Sequence, residues 1–147
     1  MHAYLVRHGE AEREEVDPER HLTDRGAEEV RRIATDALEE LDVRPARVLH
    51  SGKARARQTA EIWSSLVDAG VAEADGLAPN DDPSIWAARL QEGTDDVMLV
   101  GHLPHLERLA GFLVTGDAER AVAGFPAGGL VGLKRTDDGW GVRVVRP

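Results

Sequence analysis

Histidine recurs in this sequence beside residues that would let an imidazole act on phosphorus. His8 stands between Arg7 and Gly9, His50 precedes Ser51, and His102 follows Gly101. A neutral imidazole attacks phosphorus directly, and water hydrolyses the resulting phosphohistidine in a second step. The attack requires an unprotonated His8, and adjacent guanidinium groups move its pKa in that direction. Arg7 and Arg55 are suited to grip non-bridging phosphoryl oxygens, because the planar arginine fork matches their spacing. His102 would close the ring and stabilise charge on the transferring group. The competing chemistry for histidines and carboxylates is a zinc site. No His-x-x-x-His pair is present, and arginines in the pocket would repel a cation.

These residues meet only if the chain places them on converging elements. Ala3 to Val6 is an apolar run stopped by Arg-His-Gly, the pattern of a buried strand ending in a loop. Thr23 or Asp24 caps an expected helix from Arg25 to Leu41, with Val30, Ile33, Ala34, Ala37, Leu38 and Leu41 at helical spacing. A second strand covers Arg47 to His50. Ser51-Gly52 then opens a helix carrying Ala56, Ala60, Trp63 and Val67 along one side, with Gly70 as its expected stop signal. A short strand over Val71 to Ala74, a loop over Gly76 to Pro83 and a helix over Ser84 to Gln91 follow. Asp96 to Val100 reads as a third buried strand, and Pro104 sits where a first helical turn tolerates it, before a helix over Leu106 to Leu113. Runs at Gly129 to Lys134 and Gly141 to Val145 flank Asp137-Asp138-Gly139, a hairpin signal.

Strands alternating with helices predict an α/β three-layer sandwich, with a mostly parallel central sheet, helices on both faces and a C-terminal antiparallel hairpin. Ligands of such sheets bind beyond the carboxyl ends of the strands. Three of the expected strands end in Arg7-His8-Gly9, His50-Ser51 and Gly101-His102. With 147 residues and no repeat, low-complexity segment or linker, one domain over 1–147 is expected.

The bulk numbers narrow the partners. The formal charge is −9, with 27 acidic against 18 basic residues, a balance that repels nucleic acid and anionic membranes. Neither is expected as a partner. There is no cysteine, so disulfides, thiolate metal sites and cysteine nucleophiles are excluded. The run after Met1 is too short and too soon charged for a signal-peptide core. No stretch approaches the roughly 20 apolar residues of a bilayer span, so a cytoplasmic location is expected. An acidic protein that binds phosphate must gather a local positive pocket, and of its basic residues only Lys53 and Lys134 are lysines.

Four segments in order carry a resemblance: Arg7-His8-Gly9-Glu10-Ala11, Leu22-Thr23-Asp24-Arg25-Gly26, the run from Ser51 through Arg55 and Gln58-Thr59-Ala60, and Gly101-His102-Leu103-Pro104. Together they resemble the histidine phosphatase superfamily, which includes the phosphoglycerate mutases, and most of all its short SixA-like phosphohistidine phosphatases. The resemblance covers nearly the whole chain. It implies a phosphoglycerate mutase-like fold and a metal-independent phosphatase with no cofactor. It further implies that Arg7, His8, Arg55 and His102 form the phosphate pocket, with His8 as covalent nucleophile. Arg20, Gly9 and Leu103 would rim the pocket or contact the substrate. Phosphate or sulfate would be expected to occupy it.

One departure bears on the substrate. Monoester phosphatases and mutases of this superfamily usually carry a glutamate in the segment corresponding to Gly76-Leu77-Ala78-Pro79, to protonate a leaving alkoxide. Here no carboxylate occurs before Asp81 and Asp82. General acid catalysis is worth roughly 10²–10⁴-fold for such a leaving group. Imidazole leaves more readily, so the missing acid favours a phosphohistidine side chain of another protein, such as a histidine-phosphotransfer domain. Only about fifty residues separate Ser51 from His102, which leaves little chain for a lid. The alternatives are a broad small-molecule phosphomonoester phosphatase, with Asp81 or Asp82 as acid, and a non-catalytic phosphate-binding or interaction module.

Overall fold

A computed structural model describes residues 1–147. Its organisation follows from the alternation of side chains along each strand. In β1 (His2–Arg7), Ala3 and Leu5 enter one core while Tyr4 and Val6 enter another. In β4 (Val97–Gly101), Val97 and Leu99 join the first core and Met98 and Val100 the second. Strands buried on both faces need helices on both sides. The second core is covered by α1 (Asp24–Leu41) and α2 (Ala54–Val67), with Trp63 fully buried. The first is covered by α3 (Pro83–Glu92) and α4 (His105–Thr115), with Trp86 and Trp140 packed into it.

The six-stranded sheet has the order β3-β2-β4-β1-β5-β6, with β2 at Arg47–His50, β3 at Gly70–Glu73, β5 at Leu130–Thr136 and β6 at Gly139–Arg146. The first four strands of that order run parallel, while β5 is antiparallel to β1 and β6 to β5. This is the expected three-layer sandwich with its C-terminal hairpin. Register then sets the site. Arg7 pairs with Gly101 and His50 with Val100, so three parallel strands end at one edge with His8, Ser51 and His102 immediately beyond.

Local signals explain most boundaries. Thr23, rather than Asp24, caps α1: its hydroxyl accepts the Gly26 N–H at 2.9 Å. Asp82 caps α3 through the Ser84 N–H. Two expectations shift. Gly70 does not end α2; Asp68 does, in the left-handed conformation that a short polar side chain tolerates, and Gly70 opens β3. Pro104 stands before α4 as its cap residue, outside the first turn.

Candidate active site

The loop after β1 is held against α1 by two glycines. A Cβ on Gly26 would lie 2.2 Å from the backbone oxygen of Glu10, and one on Gly9 would lie 2.8 Å from Val30. Only glycine lets the first turn of α1 approach this closely. The loop is pinned from other sides as well: His8 donates its backbone N–H to the Gly101 carbonyl at 3.0 Å and accepts from Gly128 at 3.0 Å.

The His8 ring is thereby given a defined tautomer. Its Nδ1 lies 2.7 Å from the Gly9 carbonyl oxygen. A carbonyl only accepts, so Nδ1 carries the proton, and in the neutral ring Nε2 keeps its lone pair. The pKa is lowered to about 4: burial lowers it most, the Gly9 carbonyl opposes, and Arg55, Arg7 and Arg20 lower it further. His8 is therefore an unprotonated base at neutral pH.

Arg55 stands in the first turn of α2, and Thr59 one turn later ties that helix to the loop. The fully buried Thr59 hydroxyl accepts the Gly9 N–H at 3.0 Å and donates to the Arg55 carbonyl at 2.8 Å. Arg7 is anchored by an Nη1–H bond of 2.9 Å to the Phe125 carbonyl. Burial, and then the charge of Arg20, hold the Arg55 pKa below its usual value. His102 is 5.1 Å from His8 between ring centroids, with Nε2 2.6 Å from the Ser51 hydroxyl. Its pKa is lowered to about 3, by burial and then by His8, Arg55, Lys53 and His105.

Buried donors normally find partners. Arg7 Nε, Arg55 Nε and His102 Nδ1 do not, and all three belong to the four residues singled out in the sequence. The others without partners are Trp63 Nε1 and both ring nitrogens of His105. Unpaired polar nitrogens, two of them on guanidinium groups, around a neutral base suit an anion. No three His, Asp or Glu side chains are gathered as a metal ion would need.

The structure also places the remaining candidates. Arg20 has φ 54° and donates Nε–H to the Glu12 carbonyl at 3.0 Å, with its charge in reach of His8 and Arg55. Gly9 has its N–H engaged by Thr59 and its carbonyl by His8, so its polar groups serve the scaffold. Leu103 is half-buried and packs against the core under α3 and α4. Asp81 accepts the Ala78 N–H and Asp82 is engaged in the α3 cap. The Ser84 bonds hold the Asp82 carboxyl below the usual carboxylate range, which makes it a poor proton donor.

The largest cavity, about 740 Å³, lies along α3 and the start of β2 and contains none of these groups. The unpaired donors and the neutral base lie outside it. Sequence reasoning passed over Ser51, Thr59 and the Phe125 carbonyl as supports of the site. The first two stood in the helix-start segment, whereas no local pattern marks a backbone oxygen more than a hundred residues from Arg7.

Residues 3–79 match the model of the histidine phosphatase superfamily (branch 1). The chain belongs to this superfamily. Among solved structures it is similar to the protein histidine phosphatase SixA complexed with tungstate, with a TM-score of 0.85 and 25% identity over 99% of this chain and 96% of that one. A provisionally assigned phosphohistidine phosphatase SixA from Agrobacterium tumefaciens matches with a TM-score of 0.78 and 28% identity, over 99% and 97%. The α-ribazole phosphatase of Shigella flexneri shares the fold, with a TM-score of 0.78 and 20% identity over 100% and 96%. No curated protein sequence matches. As a superfamily member the chain is a phosphatase, and none of its helices is long and apolar enough to cross a membrane.

Proposed function

We propose that the chain is a phosphohistidine phosphatase that works through a covalent intermediate on His8. The observation that carries this reading is the His8 tautomer: Nδ1–H is committed to Gly9, and Nε2 is unprotonated among donors that lack partners. In the first step Nε2 forms a bond to phosphorus while the bond from phosphorus to the donor's imidazole nitrogen breaks, and that nitrogen takes up a proton from solvent water. Arg7, Arg55 and His102 hold the three non-bridging oxygens, with Arg20 adding positive potential. In the second step water attacks phosphorus, the bond to Nε2 breaks, and inorganic phosphate leaves.

Two observations favour a P–N over a P–O donor. Both acids near the expected position are bound elsewhere, Asp81 to the Ala78 N–H and Asp82 to the α3 cap. No enclosing cavity surrounds His8, so a side chain projecting from a folded protein can enter; the similarity to SixA agrees. The phosphomonoesterase reading draws on the likeness to the α-ribazole phosphatase. Turnover on a phosphohistidine-bearing phosphotransfer domain, measured beside a panel of phosphomonoesters, decides between them. A kcat/KM at least tenfold higher on the phosphoprotein is expected; a preference of that size for any monoester overturns the reading.

A further inference from the structure

On a chain of charge −9, cations crowd at the carboxyl edge of the sheet, outnumbering the carboxylates among them. Arg7, Arg20, Lys53 and Arg55 lie together at this edge and form no ion pair, whereas Arg57 beside them pairs with Glu61. They also feel one another: Arg20 lowers the pKa of Arg55, and Lys53 that of His102. Crowding like charges destabilises the folded chain unless a ligand balances them. A phosphoryl group gripped by Arg7, Arg55 and His102 accounts for part of this charge. Lys53 and Arg57 remain outside that grip.

Those two residues line a cavity of about 360 Å³ beside Arg55, together with Pro18, Glu19, Gly52 and Ala54. Neither Arg7, His8 nor His102 lines it, so it is a neighbour of the phosphoryl pocket that shares one wall with it. Three cations and one carboxylate line it, with the Glu73 carboxylate against Gly52 and Glu61 paired to Arg57 at its border. Glu19 is 76% exposed and lies 3.4 Å from His21 Nε2, so it is free to turn away. Arg57 engages Glu61 through Nε, at 3.4 Å, on a side chain that is 49% exposed. α2 begins at this cavity with no side chain capping it, which leaves its first N–H groups open to an anion.

We propose that this cavity is an anion subsite for a carboxylate flanking the phosphorylated residue of a protein substrate. The proposal rests on the phosphohistidine reading and adds to it a sequence preference. Side chains on one face of an extended segment lie roughly 7 Å apart, so an acid two positions from the phosphorylated residue reaches the cavity. Each exposed ion pair contributes little, so about a fivefold preference is the expected scale for two.

The test uses two phosphohistidine peptides, one with Asp and one with Asn at the flanking positions, at low ionic strength. The wild type is expected to show about a fivefold higher kcat/KM on the acidic peptide, carried by KM and lost in high salt. Lys53→Ala with Arg57→Ala should bring the ratio to near one, and Lys53→Arg should retain it. Equal rates on both peptides in the wild type, or a preference that persists in the double variant, overturns the subsite. Phosphoserine versions of the same peptides, used as competitive inhibitors of aryl phosphate hydrolysis, read the subsite without the substrate. A stronger inhibition by the acidic version, alongside no turnover of either phosphohistidine peptide, sinks the substrate reading and keeps the subsite.

Discussion

β1 begins with one histidine and is followed by another, and the two have opposite surroundings. His2 opens the strand, with Nδ1 3.2 Å from a carboxylate oxygen of Asp96 and its backbone N–H donated to the other oxygen at 2.6 Å. Its ring stacks on Tyr4 and is 36% exposed. His8 follows the last residue of the same strand, is buried, and has guanidinium groups around it with no carboxylate in reach. At the amino edge the fold supplies an acid to a ring that water already solvates. At the carboxyl edge it buries the ring among guanidinium groups instead, so the ring stays neutral with a free lone pair. Burial alone does not make a site, since His105 is buried completely without one; what distinguishes His8 is the set of unpaired donors beside it.

The contrast is broken most sharply at the two rings. His8→Ala should lower turnover on the order of 10⁴-fold or more and abolish trapping of an acid-labile, alkali-stable phosphoenzyme. His2→Ala should leave turnover within about twofold, since its bonds end at a surface carboxylate. Labelled phosphate that still attaches to His8→Ala would reassign the nucleophile.

The arginines allow the same comparison. Arg89 has both ends of its fork filled by Asp75, at 3.0 and 3.1 Å, whereas the Arg55 Nε has no partner. Arg55→Gln should cost about 10²–10³-fold in kcat. Arg89→Gln should change kcat by no more than about twofold. Similar losses from both in steady-state assays would mean that pairing does not separate working from structural arginines.

The pH dependence sharpens the account of the rings. With the His8 pKa at about 4, the acid limb of kcat/KM should fall near pH 4, well below the ordinary histidine value of 6.5. Stability has a definite sign in the same window. Between about pH 6.5 and 4 the unfolded chain takes up protons that the folded His8 and His102 refuse. Their contribution is intact above pH 6.5 and is lost as the pH falls. The urea midpoint should therefore drop from pH 7 to pH 5, and His8→Asn with His102→Asn should flatten that drop. An acid limb near pH 6.5 would show that the His8 environment is misjudged.

The smallest effect is expected at Thr59. Thr59→Val keeps the shape and leaves the buried Gly9 N–H without a partner, costing about 1–3 kcal/mol of stability. Thr59→Ser should restore most of it. Equal urea midpoints for wild type and Thr59→Val would remove this hydroxyl from the support of the loop.

Much of this was legible in the sequence because it depends on short range. Alternation in Ala3 to Val6, helical spacing from Val30 to Leu41 and the cap at Thr23 are local patterns, and they placed the elements to within a residue or two. The helix end at Asp68 was missed because a left-handed aspartate leaves a weaker local signal than a glycine. The family motifs named Arg7, His8, Arg55 and His102 from residue type and order alone. What tertiary structure decided was the state of those groups. The Gly9 carbonyl selects the His8 tautomer, Thr59 locks Arg55 to the loop, and Phe125 anchors Arg7 across 118 positions of sequence. A pKa depends on burial and on charges brought close in space. Strand register determines both, and no single segment contains them.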